Sequence, residues 1–134
     1  MSTALLALCL SAGALRVELP MSSFTLRWRH SIEKTEWAED YELAGDWLHL
    51  SQARIRGSGA GMEPPAGAVL LHGVWHYRPT ERWHRELVLA RSGFVPDYEL
   101  CTAAGCRPLT DWLPLDHDAE GPTVLRSCPL RHKK

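Results

Sequence analysis

Between Phe24 and Ser31 apolar and polar side chains alternate without a break, with Phe24, Leu26, Trp28 and His30 set against Thr25, Arg27, Arg29 and Ser31. A period of two puts one set on each side of an extended chain, so the segment predicts a half-buried strand. Leu15 to Leu19 predicts a shorter strand that stops at Pro20, a residue with no N–H to give to a ladder. Ile32 to Trp37 reads as a polar connection. Glu39, Tyr41 and Leu43 then resume the alternation, and Ala44-Gly45-Asp46 marks a turn. Trp47 to Arg56 predicts a long strand, with Leu48 and Leu50 on one side and Trp47, Ala53 and Ile55 on the other. Val69-Leu70-Leu71 and Val74-Trp75-His76-Tyr77 predict a strand pair, or one bulged strand, around Gly73, and Arg85 to Ala90 predicts a further strand. Past Trp112 the chain is rich in Pro and Asp and weakly patterned. Turn signals recur roughly every eight to twelve residues, which predicts an all-β fold: a small antiparallel barrel or sandwich of about seven to eight strands.

The chain has 134 residues, enough for one domain with a real core. Residues 3 to 15 form an uncharged apolar run, too short to cross a membrane as a helix. Its length suits the apolar region of a signal peptide, and Ala12-Gly13-Ala14 supplies a small-x-small cleavage pattern, although no Lys or Arg precedes it. The expected organisation is therefore a signal peptide or N-terminal anchor over 1–14 and a single β domain over 15–134. The competing reading of the run is a buried first strand or helix. Formal net charge is −1, which gives no footprint for nucleic acid or an anionic membrane. Six Trp in so short a chain is the compositional oddity, because large rings both stabilise small β folds and build ligand surfaces.

Cys101 and Cys106 bracket a four-residue turn, Thr102-Ala103-Ala104-Gly105. If the flanks pair as a hairpin, the two thiols face each other at disulfide distance, which fits an oxidising compartment. Zinc is the competing use, through Cys101, Cys106, Cys128 and His132, but the gap between the two halves is wide. No pairing is assigned to Cys128. Gly57-Ser58-Gly59-Ala60-Gly61-Met62-Glu63-Pro64 interrupts regular structure. Its G-x-G-x-G spacing with no following Lys is neither a dinucleotide fingerprint nor a phosphate loop, so it reads as a turn or as a backbone wall for a ligand. His30-Ser31 with Glu33, Glu36, Trp37, Glu39 and Asp40 is the second concentration of polar chemistry. Adjacent residues of a strand face opposite ways, so His30 and Ser31 form no nucleophile–base pair with each other. The acidic residues lack calcium-loop spacing. His72 and His76, four apart on a strand, lie too far from each other to share a metal. No metal site, cofactor or catalytic set is assigned.

Phe24-Thr25-Leu26-Arg27-Trp28-Arg29-His30-Ser31-Ile32-Glu33, Trp37-x-Glu39, Gly57-Ser58-Gly59-Ala60-Gly61-Met62-x-Pro64-Pro65 and Cys101-x4-Cys106 together resemble the bacterial domain of unknown function 1850 over about residues 15 to 110. Members of that family look like small exported or membrane-associated proteins, often encoded beside TRAP-type solute transporters with a TAXI substrate-binding protein. The resemblance implies a periplasmic or membrane-associated, non-enzymatic accessory protein, with a transporter permease or its TAXI binding protein as partner. Its working surface would comprise His30, Ser31, Glu33, Trp37 and Glu39 with Gly57, Gly59, Gly61, Met62 and Pro64. The alternative is a stand-alone periplasmic domain that binds a small ligand or metal ion.

Overall fold

The alternation that begins at Phe24 is realised as a strand that turns Phe24, Leu26 and Trp28 towards the core, and Phe24 and Leu26 are almost wholly buried. The computed structural model describes residues 5–30, 35–57, 64–115 and 121–131. In chain order the strands are β1 (Leu6–Ala12), β2 (Leu15–Pro20), β3 (Ser23–His30), β4 (Thr35–Ala44), β5 (Trp47–Arg56), β6 (Val69–Leu71), β7 (Val74–Tyr77), β8 (Trp83–His84), β9 (Leu87–Leu89), β10 (Glu99–Thr102), β11 (Gly105–Pro108) and β12 (Thr123–Pro129). They form two antiparallel sheets arranged as an open sandwich. The larger has eight strands in the order β11-β10-β3-β4-β5-β7-β6, with β8 also on β5, and the smaller runs β2-β1-β12-β9. The all-β class and the sandwich arrangement stand as expected. The strand count is higher because β1, β8 and β12 add to the strands read from the sequence.

Three local expectations change. The stretch read as a polar connection ends early, because β4 already starts at Thr35, whose side chain is completely buried. Between Asp40 and Tyr41 the β4–β5 register shifts, so Asp40 opposes Gln52 while Tyr41 opposes Leu50. Ser51 is the extra residue of a β-bulge, and the bulge puts Ala53 and Ile55 on the same face as Leu48 and Leu50 rather than the opposite one. The third is β12, which forms in the weakly patterned tail. Its inward positions are Thr123, Leu125 and Ser127, so two of the three buried side chains are polar and the apolar signal is lost.

Residues 6–12 of the N-terminal apolar run form β1, hydrogen-bonded to β2 on one edge and β12 on the other. Ala7, Leu8 and Leu10 have no exposed surface. They meet Leu125 and Leu89 of their own sheet, and Leu43, Leu48 and Leu50 of the large one, in a single apolar cluster closed by Leu109 and Leu113. Burial of each such Leu contributes roughly 1.5–3 kcal/mol. Cys9 of β1 is joined to Cys128 of β12, which pairs the cysteine that the sequence left without a partner. The bridge spans 119 residues, and the chain-entropy relation assigns such a loop about 5 kcal/mol, against about 2 kcal/mol for the five-residue Cys101–Cys106 span. The long bridge therefore constrains the unfolded chain far more, and it closes the small sheet around its first strand.

Where β9 ends, Arg91 turns inward with only 2% of its side chain exposed and pairs with Asp97. Its Nε and Nη2 donate to the two carboxylate oxygens at 2.8 and 3.0 Å, Nη1 donates to the Thr123 hydroxyl at 3.0 Å, and Nη2 also reaches the Leu113 carbonyl at 2.9 Å. Asp97 in turn accepts the backbone N–H groups of Tyr98 and Thr110, each at 2.9 Å. Removing one partner of a buried, fully bonded pair leaves the other charged and unpaired, which costs about 3–5 kcal/mol. An Asp97→Asn change should lower unfolding free energy in urea melts by about that amount. Asp111→Asn, which breaks the exposed Arg107–Asp111 pair, should cost under about 1 kcal/mol. Equal effects of the two changes would show that Arg91–Asp97 is no structural clamp.

Candidate functional site

Register decides what each side of the large sheet carries. One row across it reads Glu99, Arg27, Ala38, Arg54 and His76, and the next reads Arg29, Glu36, Arg56 and Val74, all on the side away from the core. Every cross-strand neighbour of Ala38 in its row is long and polar, so a depression of about 480 Å³ opens there. Arg27, Arg54, Arg56, His76 and His72 line it, with Leu71 and Val74 as its apolar side and the Cys101–Cys106 bridge at its margin. Arg27 Nε donates to Glu99 Oε1 at 2.8 Å. Arg54 clasps Asp40 through both terminal nitrogens, Nη2 at 2.9 Å, and the Thr25 hydroxyl donates to the same carboxylate at 2.6 Å. Burial pushes the Asp40 carboxyl up, but the hydrogen bonds from Arg54 and Thr25 and the charges of Arg54 and His76 outweigh it and hold it below the usual 3.8. Arg29 lies 3.6 Å from Glu36.

The residues singled out from the sequence divide into three groups. His30 closes β3 opposite Thr35, and the Glu36–Arg56 pair that ends the β4–β5 ladder sets Gly57 beside Thr35. A Cβ on Gly57 would sit 2.6 Å from Thr35 Cγ2 and 3.1 Å from its Cα, so only glycine fits against that strand. His30, Thr35 and Gly57 thus lie side by side, and the two motifs leave the same end of the sheet. Trp37 stands one register pair further in, borders the depression, and donates its indole N–H to the Thr35 hydroxyl at 3.2 Å. Its ring stacks at 6.1 Å on Trp28. Pro64 resumes the described chain as an exposed residue, while Ser31, Glu33, Gly59, Gly61 and Met62 lie outside the described residues.

Glu39 lies on the core-facing side of β4, the side that Thr35 and Trp37 also occupy, and accepts the Tyr41 hydroxyl at 2.6 Å. Desolvation, then the Glu39 charge and that hydrogen bond, push the Tyr41 phenol well above its usual 10. Glu36 and Asp40 face the opposite way, so the acidic cluster does not converge on one point. Among the described residues the one grouping of His, Cys, Asp and Glu close enough to hold a cation is Cys9, Glu18 and Cys128, and two of these are tied up in their disulfide. Cys101 and Cys106 are likewise joined to each other, so the zinc reading loses its thiolates. The arginine-lined depression was missed. Its signal was present as two copies of Arg-apolar-Arg, Arg27-Trp28-Arg29 and Arg54-Ile55-Arg56, on strands that flank one neighbour.

The sandwich with this face defines a small β domain, and comparison with known families places it. The profile of the family described as a domain of unknown function (DUF1850) matches residues 24–109, which include β3 to β11 and the residues of both motifs, and the chain belongs to that family. No curated protein and no solved structure matches it significantly.

Two consequences can be measured. Gly57→Ala forces a methyl into Thr35 and should destabilise the protein by about 1–3 kcal/mol, whereas Gly67→Ala, with open space around its Cβ, should be milder; the reverse order in thermal melts would contradict the contact. Because the folded state raises the Tyr41 pKa, its contribution is fully present below pH 10 and is lost as pH rises above that value. Stability should therefore fall above pH 10 by up to about 1.4 kcal/mol per pH unit from this group, and Tyr41→Phe should shallow that limb, leaving the weaker slopes of Tyr77 and Tyr98. An unchanged slope in Tyr41→Phe would refute the assignment.

Proposed function

We propose that this protein is an exported, non-enzymatic accessory domain of a TRAP-type solute transporter with a TAXI binding protein. It acts through the end of the large sheet where its two family motifs emerge together. The observation that carries the reading is the adjacency of His30, Thr35 and Gly57, which joins the starts of two segments far apart in sequence into one surface. A binding role, rather than proton transfer, is supported by the state of the carboxylate further along β4 on the outward face. Asp40 is held ionised by Arg54 and Thr25 and so makes a poor general base. Location in an oxidising, extracytoplasmic compartment is supported by the two disulfides. On this reading the export route leaves Leu6–Ala12 attached, since cleavage after Ala14 would excise a central strand and one half of the long bridge.

The stand-alone small-ligand binder is favoured by a different observation, the depression over Ala38. A photo-crosslinking residue placed at position 58, in cells that also express the neighbouring transporter, separates the two. The expected result is a crosslink to the membrane permease or its binding protein in the membrane fraction. Recovery of the protein only in free soluble form would overturn the accessory role.

A further inference from the structure

We infer that the outward face of the large sheet holds a binding site for a small organic monocarboxylate, with Arg54, Arg56 and His76 as donors above Ala38, and Leu71 and Val74 as the wall for its hydrocarbon body. The site stands whether or not a transporter is the protein's partner.

An outward sheet face is ordinarily covered by its own long side chains, which lie over the strands and fill the space between them. Here two of the arginines are held back from doing so. Glu99 on β10 draws Arg27 to one side, and Asp40 holds Arg54 while the Thr25 hydroxyl fixes Asp40. Both arginines thus flank Ala38 without closing over it, and the concave volume of about 480 Å³ falls within the range of small-molecule sites. The pairs also leave donors over. Arg54 spends its two terminal nitrogens on Asp40 and keeps Nε, and Arg27 spends Nε and Nη2 on Glu99 and keeps Nη1. On His76, Nδ1 lies 3.2 Å from the Gln52 amide nitrogen, and Nε2 has no partner among the described residues.

Charge selects the class of ligand. On this face Arg27, Arg29 and Arg54 are matched by Glu99, Glu36 and Asp40. Glu36 is also the one carboxylate lining the depression, against Arg27, Arg54 and Arg56, and among the described residues Arg56 has no carboxylate within ion-pair distance. A face that keeps one more arginine than paired carboxylates among the described residues suits a monoanion better than a phosphate or sulfate dianion. Leu71 and Val74 give the depression an apolar side, with Leu71 half exposed, which suits a carboxylate that carries a short hydrocarbon chain. The hairpin turn beside them adds an independent sign. His72 sits at φ 51° ahead of Gly73 at φ 79°, in a two-residue turn where Asn or Gly is the usual first residue. The turn thereby places His72 on the lining of the depression, where its ring adds a second imidazole beside His76.

The test is calorimetric titration of the full chain with sodium hexanoate, sodium sulfate and hexan-1-ol at matched ionic strength. Hexanoate should bind saturably and at one site, sulfate at least about tenfold more weakly, and hexan-1-ol not at all. Arg56→Gln should weaken hexanoate about tenfold and Arg56→Lys far less, while Arg107→Gln, at an exposed pair elsewhere, should leave it unchanged. His72→Asn, which suits the turn and so keeps the fold, should also weaken binding. The inference fails if hexanoate does not saturate, if sulfate binds as tightly, or if Arg56→Gln and His72→Asn, folded by circular dichroism, bind like the parent. Failure of these titrations leaves the crosslinking result at position 58 untouched, so the two readings are judged separately.

Discussion

The arrangement of the two sheets depends on one buried ion pair. Arg91 and Asp97 sit where β9, β10, β12 and the 3-10 turn at Leu109–Asp111 come together, and between them they bond to Thr123, Leu113, Tyr98 and Thr110. A guanidinium with 2% exposure is tolerable only with its donors satisfied. The pair therefore acts as a geometric specification, because the segments that supply those partners have one relative placement in which both charges are satisfied. Apolar contact alone would allow Leu109 and Leu113 to slide against Leu89 and Leu125 with little change in buried area. The hydrogen bonds remove that freedom. They also fix the start of β10, the strand that brings Glu99 to Arg27 and Cys101 to Cys106. The candidate site is thus tied to the clamp by a chain of directional contacts.

A second constraint sets which side chains the site receives. β4 is central, with Arg27 on one neighbour and Arg54 on the other, and Ala38 between them. Strict alternation through all of β5 would have turned Arg54 and Arg56 towards the core and left Ala53 and Ile55 in water. The bulge at Ser51 absorbs one residue and reverses the phase, so that the apolar pair goes in and both arginines come out beside Ala38. Ser51 repays part of the lost ladder by donating its hydroxyl to the Asp40 carbonyl at 3.2 Å. The fold and the site share this irregularity, and neither has its observed form without it.

These dependencies explain what could be read in the sequence and what could not. β3, the body of β5, the β6–β7 hairpin and the Cys101–Cys106 turn were legible because their signals are local, with periods of two and short turns. The bulge was not, since Ser51 looks like any polar strand residue until its partner strand is known. The apolar run before Leu15 has the same composition as a leader region and as a strand buried on both faces of its pairing, and the Cys9–Cys128 link that ties it down joins positions 119 residues apart. β12 was hidden because Thr123 and Ser127 are buried through hydrogen bonds to Arg91 and to the Gly45 carbonyl. The arginines of the outward face were visible, but alternating charge on a strand is ordinarily a solvated surface. What turns it into a concavity is the shortness of Ala38 and the carboxylates that hold its neighbours aside, and both are properties of cross-strand register.

The carboxylates on that face do more than position arginines. An array of four unpaired guanidinium groups would attract any polyanion and would be screened strongly by salt. Pairing three of them with Glu99, Glu36 and Asp40 removes most of that field while leaving N–H groups of Arg27 and Arg54 without a partner among the described residues. Recognition then rests on directional hydrogen bonds and on Arg56, which has no ion-pair partner among the described residues, and these discriminate by shape as well as by sign. Arg54 and Thr25 hold the Asp40 carboxyl below its usual range, so the pair and its donors stay in place as pH changes near neutrality. A face built this way is suited to hold a small anion reversibly, and it lies against the same sheet end from which both family motifs emerge.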